Sequence, residues 1–280
     1  MEPNFKEVER IIAAALAEDI GKGDITAELL IPSQATAKLT FINREALVMC
    51  GGRVVSQAFA QYQASIKTRS HVMDGQRAAS GTHLIDVEGP ARAILTAERV
   101  ALNLLQRMCS VATVTAQYVK AVHGTGAMIL DTRKTMPGLR ELDKYAVRAG
   151  GGRNHRMRLD DGILIKDNHL ALCGGVRQAL ERVRAGNTGR LPVEIECETL
   201  AQVEEALAAG AERILLDNMD VPTLREAVRL VAGRASLEAS GNVNINNVRQ
   251  IAETGVDFIS VGALTHSARA VDISMRIEIA

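Results

Sequence analysis

The sequence is poor in aromatic residues and has no tryptophan: Phe, Trp and Tyr together make up 2% of its 280 residues. A core for a chain of this length must therefore be aliphatic, as is common where strands are covered by helices on both faces. A surplus of charge is also missing, since 33 basic and 33 acidic residues balance. This argues against a general binder of nucleic acids or of anionic membranes. No apolar run approaches the roughly 20 residues that cross a bilayer.

The sequence has no paired cysteines of the CxxC type. Its four cysteines, Cys50, Cys109, Cys173 and Cys197, are far apart, and reduced thiols in a reducing compartment are the simplest interpretation. The residues up to Asp19 also lack the pattern of a secretory signal. We therefore expect a cytoplasmic protein.

Two patterns of secondary structure divide the sequence. From Ala35 to about Glu88 short β-rich runs alternate with turns, and Ala91 to His123 is helical, which we predict as two helices. After Gly124 short apolar runs alternate with helical patterns, which predicts a βα repeat. The predicted strands are Met128–Asp131, Ile163–Lys166, Val193–Glu196, Arg213–Asp217, Ser236–Ser240 and Phe258–Gly262.

A βα repeat of this kind closes as a barrel or forms a doubly wound sheet. Nearly every predicted strand ends on a charged, polar or glycine residue, and in a βα barrel those residues meet at the C-terminal mouth, where such enzymes have their active sites. A doubly wound sheet usually shows a GxGxxG after its first strand, and this sequence has none there. We therefore predict a barrel.

A local excess of positive charge lies between Arg133 and Lys166. A solvated helix face accounts for three of its basic residues, Arg140, Lys144 and Arg148. It does not account for Arg133 and Lys134, which follow an apolar strand, or for Lys166, which ends another. These cations suit a small, multiply anionic ligand, because Arg binds carboxylate and phosphate through paired charge-assisted hydrogen bonds. His155 lies in the same segment and is the histidine that we expect at the site.

Carboxylates supply the opposite charge at the same predicted mouth. Glu196 and Asp217 end two successive strands, which predicts a Mg²⁺ site or acceptors for ribose hydroxyls; ion pairs with nearby arginines are the alternative. Ser240-Gly241 and Gly262-Ala263 follow the last two strands and precede helices, where backbone amides bind phosphate well.

Longer motifs resemble those of a known family. They are TRKTMPGLR at 132–140, GGGRNHR at 150–156, LIKDNH at 164–169, LDN at 216–218, EASG at 238–241 and SVGALTH at 260–266. They resemble the motifs of quinolinate phosphoribosyltransferases, also called carboxylating nicotinate-nucleotide pyrophosphorylases, and the resemblance covers nearly the whole chain. One departure is visible: the family usually has Ser-Gly-Gly where this sequence has Ser240-Gly241-Asn242. Asn tolerates left-handed backbone angles.

The resemblance implies an incomplete α/β barrel at 108–269 and a smaller N-terminal α/β sandwich domain at 1–107, to which 270–280 returns. It implies transfer of the phosphoribosyl group of phosphoribosyl pyrophosphate to quinolinate with decarboxylation, giving nicotinate mononucleotide for NAD synthesis, with Mg²⁺ as cofactor. It also implies a homodimer and leaves open a hexamer of dimers.

The resemblance also implies roles for individual residues. The quinolinate pocket would be lined by Arg133, His155, Arg156 and Lys166, with Arg99 from the partner subunit. Pyrophosphate, Mg²⁺ and ribose would be served by Lys134, Glu196 and Asp217. The 5′-phosphate would be held by Ser240, Gly241, Gly262 and Ala263. Further substrate contacts are expected from Thr132, Asn242 and Val261. Four of these residues are expected to be catalytic: Lys134, Lys166, Glu196 and Asp217.

The residues leave three other functions open. A related phosphoribosyltransferase could use another pyridine, either as a nicotinate-specific or as a molybdenum-associated relative. A Schiff-base aldolase barrel would use Lys166 as its nucleophile, although the neighbours of this lysine are hydrophilic. A non-catalytic sensor of phosphoribosyl pyrophosphate is the third alternative, and any turnover would exclude it.

Overall fold

The computed structural model describes residues 2–278. Its contacts divide the chain into two compact units. The first contains the residues up to 116, 135–151 and those from 264 onward, and the second contains 117–134 and 152–263. None of the described helices combines the length and the apolar character that a bilayer span requires.

The first unit is built on a four-stranded antiparallel sheet in the order β12-β1-β5-β3. Its strands are β1 (Thr36–Asn43), β3 (Lys67–Ser70), β5 (His83–Pro90) and β12 (Ile273–Glu278). The short strands β2 (Leu47–Val48) and β4 (Arg77–Ala78) pair with each other. Because β12 pairs with β1, the carboxyl-terminal part of the chain belongs to this sheet. Residues 279 and 280 of the predicted returning segment lie outside the described range.

The helices that lie wholly or mostly in the first unit and precede β7 are α1 (Phe5–Ile20), α2 (Ile25–Leu30), α3 (Gly52–Tyr62), α4 (Ala91–Ala121) and α5 (Arg140–Ala149). Helix α4 is one continuous helix, so the prediction of two helices is wrong. It contains neither Gly nor Pro, and the hydroxyls of Ser110, Thr113 and Thr115 bond to carbonyls of the preceding turn without breaking the helix. The predicted domain boundary at 107–108 falls inside α4, and the two-domain division stays a prediction.

The second unit contains a six-stranded parallel sheet in the order β6-β11-β10-β9-β8-β7. Its strands are β6 (Met128–Leu130), β7 (Ile163–Ile165), β8 (Val193–Cys197), β9 (Arg213–Asp217), β10 (Ser236–Ser240) and β11 (Phe258–Ser260). All six predicted strands are thereby confirmed. Within the described chain β6 and β7 share no ladder, and Arg153 instead makes an isolated parallel bridge with Leu130. The sheet is therefore an incomplete barrel, as predicted.

Helices alternate with these strands: α6 (Asp167–Cys173), α7 (Val176–Gly186), α8 (Leu200–Ala208), α9 (Val221–Val231), α10 (Val248–Ala252) and α11 (Ala263–His266). Local capping explains two of the starts. Thr199 and Gln202 form a capping box at α8, and the side chain of Asp220 accepts the Thr223 N–H at α9. Because the six strands are parallel, their last residues lie at one end of the sheet, where the helices begin.

Candidate functional site

The carboxyl-terminal ends of the parallel strands surround a cavity of about 530 Å³ in the second unit. Side chains alternate along a strand, so residues two apart on β8, β9 and β10 line the same face. The predicted site residues that line the cavity are Thr132, Arg133, Lys134, His155, Arg156, Lys166, Glu196, Asp217, Ser240, Gly241 and Asn242. The sequence therefore identified most of this lining.

Four predicted site residues are not part of the cavity lining: Arg99, Val261, Gly262 and Ala263. Arg99 is exposed on α4. Val261 is 1% exposed, and its N–H donates to the Leu130 carbonyl over 3.0 Å. That backbone N–H is already used in the structure, so it is not free to donate to a substrate, and the predicted role of Val261 stays a prediction.

Basic side chains occupy the side of the cavity formed by the segment after β6 and by residues 152–156. Nη1 of Arg156 donates to the Gly162 carbonyl over 2.8 Å. Burial, and then the charge of the neighbouring Arg133, lower the pKa of Arg156, against the opposing effect of Glu194. Two guanidinium groups that disfavour each other electrostatically are well placed for a ligand with more than one negative charge.

The acidic side is formed by the ends of β8 and β9. The Oε2 atom of Glu196, which is 7% exposed, accepts a hydrogen bond from Lys166 Nζ over 2.6 Å. Asp217 is half-buried, and its Oδ2 accepts from the Asn218 amide over 2.7 Å. Each of these carboxylates has a second oxygen that accepts no hydrogen bond from residues 2–278. Two such carboxylates in one cavity fit a hard divalent cation such as Mg²⁺, which binds few protein carboxylates and completes its shell with water and phosphate.

His155 is oriented through both of its ring nitrogens. Nδ1 accepts the backbone N–H of Arg156 over 2.8 Å, and Nε2 lies 2.8 Å from Oε2 of Glu194. Because Nδ1 is an acceptor, the geometry assigns the ring proton to Nε2, which donates it to Glu194. His155 therefore contributes an oriented imidazole to the cavity wall.

A buried polar cluster supports His155 from inside the barrel. Nε of Arg213 donates to Glu194 over 2.9 Å, and Arg213 and Ser260 both donate to Glu238. Burial and the adjacent Glu194 raise the pKa of Glu238 to about 7. Burial acts in the same direction on Glu194, but hydrogen bonding from His155 and the charge of Arg213 outweigh it, so the pKa of Glu194 is lowered.

The segment 152–156 is anchored to β6 by Asp131, which has no exposed side-chain surface. Its Oδ1 accepts the backbone N–H of His155 over 2.8 Å, and its Oδ2 accepts the side-chain amide of Asn154 over 2.6 Å. Backbone hydrogen bonds from Arg153 to Ile129 and from Asp131 to Arg153 complete the attachment. Asp131 thus fixes the position from which His155 points into the site.

The loop after β10 carries the departure from the family pattern. Asn242 has a left-handed backbone with φ of 52°, and its side-chain amide donates to Asn218 Oδ1 over 3.1 Å. Its carbonyl accepts hydrogen bonds from the amides of Asn244 and Asn247 over 3.3 and 3.0 Å. Asn therefore fits the backbone here, and its side chain adds one hydrogen bond that glycine lacks.

Sequence reasoning missed the supporting residues Asp131, Glu194, Arg213 and Glu238. A signal was present, because Glu194 and Glu196 are two apart on one strand and must share a face. The interpretation of Lys144 as part of a solvated helix face is wrong. Lys144 is 1% exposed, because it lies on the buried face of α5, which packs within the first unit.

The chain is similar to known proteins over nearly its whole length. The quinolinate phosphoribosyl transferase C-terminal domain matches residues 111–276, and the N-terminal domain of the same family matches 24–109. A rice protein, chloroplastic nicotinate-nucleotide pyrophosphorylase [carboxylating], is 44% identical over 97% of this chain and 78% of its own length. A probable enzyme of the same name from Bacillus subtilis is 38% identical, over 98% of this chain and 94% of its own.

Solved structures of similar sequence agree with these matches. Nicotinate-nucleotide pyrophosphorylase from Ehrlichia chaffeensis is 43% identical with a TM-score of 0.94, covering 99% of this chain and 100% of that one. The enzyme from Francisella tularensis is 37% identical with a TM-score of 0.93, covering 99% and 98%. With both domain matches and relatives above 30% identity along almost its full length, the chain belongs to the quinolinate phosphoribosyl transferase family.

Proposed function

We propose that this chain transfers the phosphoribosyl group of phosphoribosyl pyrophosphate to quinolinate with loss of carbon dioxide. The products are nicotinate mononucleotide and pyrophosphate, for NAD synthesis. One observation carries the proposal beyond family membership: a single cavity brings Arg133, Lys134, Arg156 and Lys166 together with the carboxylates of Glu196 and Asp217. The four basic residues suit an anionic pyridine and pyrophosphate. The two carboxylates suit the positive charge that develops on the ribose in the transition state.

The substrate preference follows from charge. Quinolinate carries two carboxylates, and Arg133, Arg156 and Lys166 offer cations on the cavity wall. Nicotinate carries one carboxylate and would leave part of that positive charge uncompensated in a closed site, which is costly. Quinolinate therefore has the higher kcat/KM, and a nicotinate-specific relative is the less favoured alternative.

In the proposed reaction the bond from ribose carbon 1 to pyrophosphate breaks, and pyrophosphate keeps the electron pair. The ring nitrogen of quinolinate forms the new bond to that carbon. Lys134 neutralises the leaving group, and Glu196 and Asp217 stabilise the positive charge that develops on the ribose. The pyridinium then accepts the electron pair left as the adjacent carboxylate departs, and a proton takes its place on the ring.

Mg²⁺ held by Glu196 and Asp217 would supply further charge against the pyrophosphate. Because Lys166 already contacts Glu196, the carboxylate is oriented before any cation binds. A chelator should abolish turnover, and added Mg²⁺ should restore it. Full activity in the chelator would contradict this assignment.

The proposed assembly is a homodimer in which Arg99 completes the neighbour's site, with a hexamer of dimers as a further possibility. The exposure of Arg99 on α4 supports it. We also propose that the protein works in the cytoplasm, which agrees with its free cysteines. Relatives in rice and tobacco have names that place them in chloroplasts and mitochondria.

A Schiff-base mechanism at Lys166 is disfavoured by its surroundings. Its side chain is 46% exposed and its Nζ lies 2.6 Å from a carboxylate, whereas a Schiff-base lysine is typically desolvated in an apolar pocket or placed beside another cation. Borohydride trapping with a carbonyl substrate would distinguish the two chemistries.

The direct test is an assay of the purified protein with quinolinate, phosphoribosyl pyrophosphate and Mg²⁺, following carbon dioxide and pyrophosphate together. Equal amounts of the two products are expected. Nicotinate serves as the matched substrate, and comparable turnover with nicotinate would contradict the proposal.

A further inference from the structure

The single departure from the family's phosphate-loop pattern has a defined partner in the structure. Nδ2 of Asn242 donates to Oδ1 of Asn218 over 3.1 Å, and Nδ2 of Asn218 donates to Oδ2 of Asp217 over 2.7 Å. Both asparagines have left-handed backbones, with φ of 52° and 54°. A glycine could adopt this backbone but could not make the first hydrogen bond.

We propose that Asn242 is a positioning residue that acts through Asn218 to orient the Asp217 carboxylate for phosphoribosyl pyrophosphate and its Mg²⁺. This inference rests on the proposed function of the cavity. Asn242 would then contribute to binding by fixing another side chain, in addition to any contact of its own with the phosphate.

The relay depends on the asymmetry of an amide group. If the Asn218 side chain turned over, its oxygen would face the Asp217 carboxylate, and two acceptors would repel each other. Donation from Asn242 to Asn218 Oδ1 favours the orientation in which the NH₂ group faces Asp217. One carboxylate oxygen is thereby fixed, and Oδ1 of Asp217, which has no hydrogen bond to any of residues 2–278, is presented to ligand.

The relay is built into the junction of β9 and β10 rather than into a free loop. The backbone N–H of Asn218 donates to the Ser240 carbonyl over 2.9 Å. A Cβ at Gly241 would lie 2.1 Å from Asn218 Oδ1, so the two loops are in direct contact. The amides of Asn244 and Asn247 hold the Asn242 carbonyl from the other side.

Three single variants separate the relay from backbone effects. Asn242→Gly restores the usual family residue and removes the donor. Asn242→Asp keeps the size and the tolerance for left-handed angles, but an ionised carboxylate cannot donate. Asn246→Asp is the control, because it adds the same charge to the same loop, and the described residues offer the Asn246 side chain no hydrogen bond.

Binding should be measured by calorimetry with Mg²⁺ and phosphoribosyl pyrophosphate in the presence of benzene-1,2-dicarboxylate. This dicarboxylate resembles quinolinate but has no ring nitrogen to react. Loss of one hydrogen bond should weaken phosphoribosyl pyrophosphate binding by about 3–10-fold in Asn242→Gly and Asn242→Asp. Binding of the dicarboxylate alone should be unchanged, and Asn246→Asp should match the wild type.

A double-mutant cycle tests the route through Asn218. Once Asn218→Gly has removed the middle of the relay, adding Asn242→Gly should cause no further loss. Additive losses, or an Asn242→Gly variant that binds as tightly as wild type, would overturn the relay. A different result is the expected cycle in phosphoribosyl pyrophosphate binding together with a wild type that does not turn over quinolinate. That result would refute the proposed function and leave the relay in place.

Discussion

At the scale of single residues, Glu238 is a buried acid in the wall of the cavity. It has no exposed surface and lies among Glu194, Arg213, Ser260 and His155. Its pKa is raised from 4.5 to about 7. Between those values the native protein keeps a proton that the unfolded chain releases, so its contribution to the free energy of unfolding falls as pH rises, by at most about 1.4 kcal/mol per pH unit.

Glu238→Gln should remove this dependence, because glutamine resembles the protonated acid at every pH. Urea unfolding at about pH 5 and about pH 7.5 should show the wild type losing on the order of 1–3 kcal/mol relative to the variant. Glu253→Gln is the control, since its ion pair with Arg249 lies on the surface and contributes little. If the unfolding free energies of the wild type and of Glu238→Gln change by the same amount between the two pH values, Glu238 does not hold this proton.

Gly241 offers a second test at this scale. An alanine held at the φ of 91° of this residue would destabilise the folded state by about 1–2 kcal/mol. Its Cβ would also overlap Asn218 Oδ1. Gly126 has a similar φ of 88° with open space around it, so Gly126→Ala measures the backbone cost alone. We expect Gly241→Ala to destabilise more and to lower kcat/KM for phosphoribosyl pyrophosphate by about tenfold or more, since 1.4 kcal/mol corresponds to tenfold. Equal unfolding free energies and unchanged kinetics would contradict this.

At the scale of elements, Asp131 joins β6 to the segment 152–156. Asp131→Ala would leave the His155 N–H and the Asn154 amide without this acceptor, at about 1–3 kcal/mol for each buried donor. Asn154→Ala removes one donor and keeps the carboxylate, so it should be the milder change. We expect Asp131→Ala to reduce kcat/KM for quinolinate by about a hundredfold, because His155 and Arg156 lose their position. Steady-state kinetics with the unfolding free energy of both variants provide the measurement.

The elements differ in how far sequence could predict them. Apolar runs with helical patterns between them located all six strands, and the polar ends of β8 and β9 correctly placed Glu196 and Asp217 in one cavity, because parallel strands end at the same edge. The basic segment between Arg133 and Lys166 pointed to His155, but motif resemblance alone identified Arg156, since the segment 152–156 is held by contacts distant in sequence. Glu194 and Glu238 were missed because a carboxylate inside an apolar strand is stabilised only by partners on other strands.

At the scale of the whole molecule, the proposed dimer makes a prediction about mixing. Arg99→Ala and Lys166→Ala should each be nearly inactive, since each change damages both sites of its homodimer. In a mixed dimer one site receives both changes and the other receives neither, if Arg99 and Lys166 of one site come from different chains. By the symmetry of an isologous interface, mixing should restore about one intact site per heterodimer.

Exchange of subunits has to be demonstrated independently, for instance by mass spectrometry with a tagged chain. An Arg92→Ala chain mixed with Lys166→Ala is a useful control, because Arg92 lies on the same helix and bonds to the Ile31 carbonyl within its own unit. Failure to recover activity despite proven exchange would mean that Arg99 acts within its own subunit or only structurally.

The gap between β6 and β7 also has an energetic consequence. Segment 152–156 has no strand ladder and is attached by individual hydrogen bonds of Arg153, Asp131, His155 and Arg156. In contrast, β8, β9 and β10 are each paired on both sides. Local opening of this segment should therefore cost less free energy than opening of the central strands. A substrate that binds only the closed form adds RT ln(1 + [L]/Kd) to that cost. In hydrogen exchange, quinolinate should protect these amides more than those of the central strands, so that ligand affinity and local folding are measured by the same equilibrium.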